Sequence, residues 1–252
     1  MDRTRRQLLA GMSIAGAGAL FAGCRGAGSS ARNEESQKEE TAPVNTDQQG
    51  GAAVTATEDL MREHGILRRA LLVYQESARK LRDSWSAVAP DILEKTAQLF
   101  RSFGEDYHEK KLEEAYIFPA IKKTTGPAAA YVDVLTVQHA RGREITDYVL
   151  SVTAAEKIAA GSMAALIGAL ESFVRMYEHH AAIEDTIVFP AWKAALSDQQ
   201  LDDMSDKFEE IEHAQFGEDG FEAAVKRIAS IEESLGIANL ELFTAHPPPA
   251  HG

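Results

Sequence analysis

Two stretches of this chain, 71 residues apart, repeat one pattern. The first reads Glu113-Glu114-Ala115-Tyr116-Ile117-Phe118-Pro119-Ala120 and the second Glu184-Asp185-Thr186-Ile187-Val188-Phe189-Pro190-Ala191, both acid-acid-x-x-apolar-Phe-Pro-Ala. Histidine precedes each, as His108 in the first and His179-His180 in the second. Each also follows a segment with one histidine on its apolar stripe, His64 and His139. The separations are alike, 44 residues from His64 to His108 and 41 from His139 to His180. A chain with this internal repeat is expected to fold as a duplicated helical hairpin, each half offering one His and then a His with a carboxylate.

The apolar spacing supports helices throughout. Thr57 is the expected N-cap of a first helix, with Glu58 and Asp59 suited to its positive end and Leu60, Leu67 and Leu71 recurring near period 3.6 up to about Trp85. Pro90 fits the first turn of a second helix reaching about Lys123. Gly126-Pro127 breaks the chain, a third helix covers about 128–157, Gly161-Ser162 turns, and a fourth covers about 162–196. Two shorter helices follow, about 198–215 and 219–235. Four long helices on short connections predict an all-α, antiparallel up-and-down four-helix bundle over 57–196, with a C-terminal helical extension over 197–244 and a flexible tail over 245–252.

The chemistry follows from the repeat. His180 and Glu184 are i,i+4, about 40° apart around a helix, so both reach one point. An imidazole and a carboxylate from one helix, repeated on a facing helix, can hold two metals with the carboxylates as bridges. Single histidines from the other two helices then complete the shells. Burying four His and two acids without such a partner would be costly. In the first half the spacing is one longer, because Leu112 sits at i+4 from His108 and Glu113 at i+5, about 140° away in a regular helix. A one-residue π-bulge would restore convergence, and Glu109 is the fallback ligand. His179 is expected against a neighbouring helix or on solvent, His213 exposed on the acidic helix face Glu209-Glu210-Ile211-Glu212-His213, and His246 and His251 in the tail to be incidental. Phe118-Pro119 and Phe189-Pro190 read as kinks closing the bundle end, and Tyr107 and Tyr177 as core packing or site lining.

Charge and cysteine content narrow the classes. Of a formal net charge of −13, residues 1–33 carry +4, leaving −17 on the rest. Such an acidic body repels phosphate backbones, so nucleic acid is not an expected partner. One cysteine excludes thiolate-rich zinc and iron–sulfur sites. Mixed N/O ligation without thiolate suits iron or manganese, and zinc less exclusively.

The N-terminus reads as an address over residues 1–24. Arg5-Arg6 and the mild apolar run Leu8–Gly23 resemble a twin-arginine export signal. That run is also short for a membrane span. Cys24, after Leu20-Phe21-Ala22-Gly23, resembles a lipoprotein cleavage box, although Phe21 stands where that motif prefers Leu. The expected location is the periplasm or the envelope, with membrane contact only through a lipid on Cys24. Residues 25–56 are too poor in large apolar side chains to fold and are expected to be a disordered tether.

Glu63-His64, His108 with Glu113-Glu114 and Phe118-Pro119, Gln138-His139, and His180 with Glu184-Asp185 and Phe189-Pro190 together resemble the hemerythrin HHE cation-binding family. The resemblance spans about 57–195. It implies a carboxylate-bridged centre of two iron ions with ligands His64, His108, Glu113, His139, His180 and Glu184. Oxygen-carrying members have a second His one turn after the third-helix ligand; Arg143 stands there, which implies the variant with two bridging glutamates. Binding or sensing of O2 or NO is the leading functional expectation. A di-iron oxidoreductase acting on peroxide, NO or O2 through an unidentified redox partner is the rival, with iron storage or delivery a third reading.

Overall fold

A computed structural model describes residues 54–217 and 220–249. The expected signal, Cys24, nearly all of the 25–56 tether and His251 lie outside the described residues. Helix α1 spans Ala56–Asp83 and starts two residues earlier than Thr57 would place it. Thr55 is the N-cap: its hydroxyl accepts from the Glu58 N–H, and the Glu58 carboxylate accepts the Thr55 N–H at 2.8 Å. This reciprocal pair needs Glu three residues after the cap, which Thr55 has and Thr57 lacks. Thr57 is instead buried inside the first turn.

The second long helix is α2 (Pro90–Leu99), a π-helical stretch π1 (Phe100–Ile117) and α3 (Phe118–Ile121). The third starts later and ends earlier than expected, as α4 (Val132–Thr153) after a 3-10 turn at Pro127–Ala130. The fourth comprises α5 (Met163–Ile183), a wide turn π2 (Glu184–Val188) and α6 (Phe189–Ala194). The extension is α7 (Asp198–Phe216), opened by a second capping box between Ser197 and Gln200, and α8 (Gly220–Leu235). Among the described residues every regular element is helical, and no helix is long and apolar enough to cross a membrane.

α1 packs along α5, and α2 along α4. One core runs through them, with Tyr74, Phe100, Phe173 and Tyr177 in mutual ring contact on one side of the histidines. Burying each such ring contributes about 1.5–3 kcal/mol. The extension is docked rather than trailing. Arg69 of α1 bonds Glu232 of α8 at 2.8 Å, and Phe208 of α7 stacks on Trp192 while meeting Tyr116 edge-on. Phe216 of α7 touches Phe103 and Tyr107 of π1, so the extension backs the wall that carries His108.

Candidate metal centre

Each of the four long helical stretches delivers one imidazole to a common point: His64 from α1, His108 from π1, His139 from α4 and His180 from α5. None is more than 3% exposed, and Glu113 and Glu184 between them are wholly buried. The Nε2 atoms face inward in two pairs, His64 and His108 at 3.0 Å and His139 and His180 at 3.1 Å. Glu113 bridges the pairs, with its oxygens 3.3 Å from Nε2 of His108 and 3.3 Å from Nε2 of His139. Glu184 does the same from the other side, 3.0 Å from His180 and 3.5 Å from His64. Ligand-capable atoms of Glu113, His139, His180 and Glu184 all lie within 4.8 Å of one another, as do those of His64, His108 and Glu113.

The orientation of each ring is fixed from behind. The Nδ1 of His108 is held by Glu63 at 2.7 Å and that of His180 by Gln138 at 2.9 Å. Asp185 takes the Nδ1 of His64 at 2.8 Å, and Glu114 that of His139 at 2.9 Å. With carboxylates and an amide oxygen accepting on Nδ1, the proton sits there and the Nε2 lone pair is offered to the centre. The two halves mirror each other. The residue before the first His holds the second His of its own half, while the residue after each central Glu holds the first His of the other half. The prolines' neighbours cross over as well, with Phe118 stacked on His139 at 5.3 Å and Phe189 on His64 at 5.3 Å.

The unequal spacing in the two halves is resolved by widened turns. In π1 the backbone bonds run i to i+5, which stacks position i+5 over position i, so His108 and Glu113 share a face. This stretch is far longer than the single-turn bulge expected between them. At both repeats the central Glu carbonyl accepts the N–H of the Phe five residues on, Glu113 from Phe118 and Glu184 from Phe189. Pro follows each Phe. Its ring crowds the carbonyl four residues back and it has no N–H to donate, so a wide turn ahead of it relieves both problems.

The comparisons with known proteins agree with this geometry. Residues 55–192 match the hemerythrin HHE cation binding domain. The chain belongs to that family. It is 45% identical over 192 residues to uncharacterized proteins of Mycobacterium bovis (Mb2018) and Mycobacterium tuberculosis (Rv1995), covering 76% of this chain and 74% of each of theirs. No solved structure matches it. Family membership and the His/Glu cluster together mark a metal-binding protein, with iron the ion that the hemerythrin HHE domain suggests.

The donor set fits a bound cation. All four carboxylate oxygens of Glu113 and Glu184 are buried without a hydrogen bond, a large unmet demand in a protein core. Two imidazole lone pairs also approach each other in each His pair. Without a metal, protons fill the gap. Burial opposes charge on His139, but Glu109, Glu113 and Glu114 hold its pKa up to about 10. His108 is likewise raised against burial by Glu113 and Glu63. His180 is pushed down to about 3 by burial and the charge on His139, so it stays neutral, donating from Nδ1 to Gln138 and accepting at Nε2. Of the two central acids, Glu184 is driven well up by burial and by Glu113. Glu113 is held well below the usual carboxylate range because His108 and His139 outweigh its burial.

The remaining expectations divide. Glu109 groups with Glu114 on the Nδ1 side of His139, 3.9 Å from that nitrogen, and accepts from the Tyr177 hydroxyl at 2.6 Å and from Arg143 at 3.1 Å. Arg143 also bonds Glu114 at 2.6 Å, so it neutralises the acids behind His139. Tyr107 donates to Glu63 at 3.0 Å and so supports His108 at one remove. His179, His213 and His246 are exposed. Glu212, expected on the acidic face of its helix, is buried and accepts the Phe221 N–H. Missed from sequence were the ring-holding roles of Glu63, Gln138, Glu114 and Asp185 and the stacking of the two Phe rings. The signal was the repeat itself, which duplicates the second acid and the Phe as faithfully as the first acid.

Proposed function

We propose that the chain is a non-haem di-iron protein that binds or senses a small diatomic, O2 or NO. The observation that carries this reading is the set of four unbonded, buried oxygens on Glu113 and Glu184, ringed by four inward Nε2 atoms. His64 and His108 would hold one ion, His139 and His180 the other, and the two glutamates would be shared. Nitrogen and oxygen donors without thiolate favour iron over the softer-ligand metals. A reduced di-iron centre with an open coordination position binds small diatomics.

A second reading, an oxidoreductase acting on peroxide, NO or O2, is favoured by one specific feature. Tyr177 and Glu109, hydrogen-bonded to each other, are among the residues bordering the cavity beside the cluster, and a purely apolar pocket would lack them. The four long helices are read as antiparallel: a linker of about six residues after α1 spans roughly 20 Å, half the length of the helix it leaves. Placement in the envelope rests on Arg5-Arg6 and Cys24 alone.

The test is iron content and visible absorption of the untagged protein, reduced without oxygen and then exposed to it. Two irons per chain with a reversible charge-transfer band support the carrier or sensor. Irreversible oxidation moves the assignment to the oxidoreductase. Iron that exchanges readily with no spectral response to gases supports storage, and no bound metal overturns the di-iron assignment.

A further inference from the structure

Tyr177 is placed with unusual care for a core tyrosine. Its hydroxyl donates to Glu109 at 2.6 Å, its ring rests against His180 with centroids 5.3 Å apart, and the whole side chain is buried. On α4, Gly142 makes room for it: a Cβ there would lie 2.0 Å from the Tyr177 hydroxyl oxygen. Glycine weakens a helix interior, so a glycine in the middle of α4 is a local cost incurred for that oxygen.

Tyr177 and Glu109 border a small cavity of about 10 Å³, close to the least that holds one water-sized molecule. Its walls include His64, His108 and Glu113 from the cluster, with Leu67 and Leu71 making it largely apolar. Exposed Arg68 also lines it, so the cavity reaches towards solvent between α1 and α5. Tyr177 is its neutral hydrogen-bond donor, and the rotation of one C–O bond would turn that proton from Glu109 towards an occupant.

We propose that Tyr177 is the specificity-determining residue of this cavity, donating a hydrogen bond to a small ligand held beside the cluster. The inference rests on the di-iron reading. The site then favours occupants whose outer atom accepts a hydrogen bond over those that accept poorly. Glu109 holds the hydroxyl when the cavity is empty, and Arg143 fixes Glu109.

Azide tests this, because it binds oxidised iron centres, accepts hydrogen bonds and has an infrared stretch that reports them. In the iron-loaded full-length chain the azide stretch is expected to shift in D2O. In Y177F that shift disappears and the azide dissociation constant rises about tenfold, the loss of one hydrogen bond, at unchanged iron content. G142A keeps the phenol but displaces it and should show the same loss, so the result does not depend on one variant. Azide binding within twofold of wild type and the same stretch in iron-loaded Y177F or G142A overturns the role of Tyr177 alone. A wild-type chain that takes up no iron overturns the di-iron reading and this inference with it.

Discussion

Asp185 accepts the Nδ1–H of His64 at 2.8 Å, reaching across the bundle from the residue next to Glu184. Arg68 pairs with the same carboxylate from the solvent side. Glu114, next to Glu113, holds His139 in the same way, with Arg143 behind it. Each half of the repeat therefore aims a histidine of the other half, which ties the two hairpins together through the centre.

Removing these aiming groups is expected to loosen the metal without emptying the core. D185A and E114A should each lower iron affinity about 10–100-fold, the usual cost of losing a group that orients a ligand histidine. Chelator competition measures it. Because the halves mirror each other, the two losses should be similar; wild-type affinity in both would remove the aiming role.

Glu113 and Glu184 are a different matter, since each serves both histidine pairs. E113A and E184A are expected to take up fewer than two irons per chain while keeping wild-type helical circular dichroism. Chelation of the native protein should lower its melting temperature, the stabilisation falling with the logarithm of the free metal concentration that remains, because the metal binds only the folded cluster. Full iron content in E184A would refute the bridging assignment.

Metal uptake should also release protons. In the metal-free protein the acidic neighbours hold the His139 pKa up to about 10 and that of His108 well above its ordinary range, so both imidazoles carry a second proton at neutral pH. Nitrogen lone pairs bind the cation, so these protons must leave. Loading at pH 7 is expected to release at least two protons per chain, read from the buffer dependence of the binding enthalpy. Affinity should rise with pH over the same range, and uptake without proton release would contradict the metal-free charge state.

Much of this centre was legible in the sequence for a physical reason. His64, His108, His139, His180, Glu113 and Glu184 stand out because buried charge is rare unless something binds it, and the repeat supplies the same set twice. The extent of π1 was not legible. Among its buried positions, Gly104, His108, Glu113 and Ile117 recur every four or five residues. A template of 3.6 residues per turn treats that drift as a single defect between His108 and Glu113. The stacking of Phe118 on His139 and of Phe189 on His64 was hidden because each partner comes from the other hairpin. A Phe-Pro pair at a helix end reads as a kink until the facing helix is known.

Glu105 lies three residues before His108 on π1 and outside the cluster. Burial raises its pKa to about 7, partly offset by the Thr146 hydroxyl it accepts; Glu109 raises it further, and Arg101 and Arg143 pull it down. An unfolded glutamate titrates near 4.5. The folded protein thus binds this proton more tightly than the unfolded chain does. Its stabilising contribution is complete below about pH 4.5 and is lost as pH rises through about 7. A shift of this size corresponds to about 3 kcal/mol at most. E105Q keeps an acceptor for Thr146 but cannot ionise, so its metal-free form should lose less stability than wild type between pH 5 and pH 8. Urea unfolding of both proteins at the two pH values measures this. Parallel pH slopes would show that Glu105 stays ionised in the fold, with Arg101, whose Nε lies 3.1 Å away, outweighing the burial.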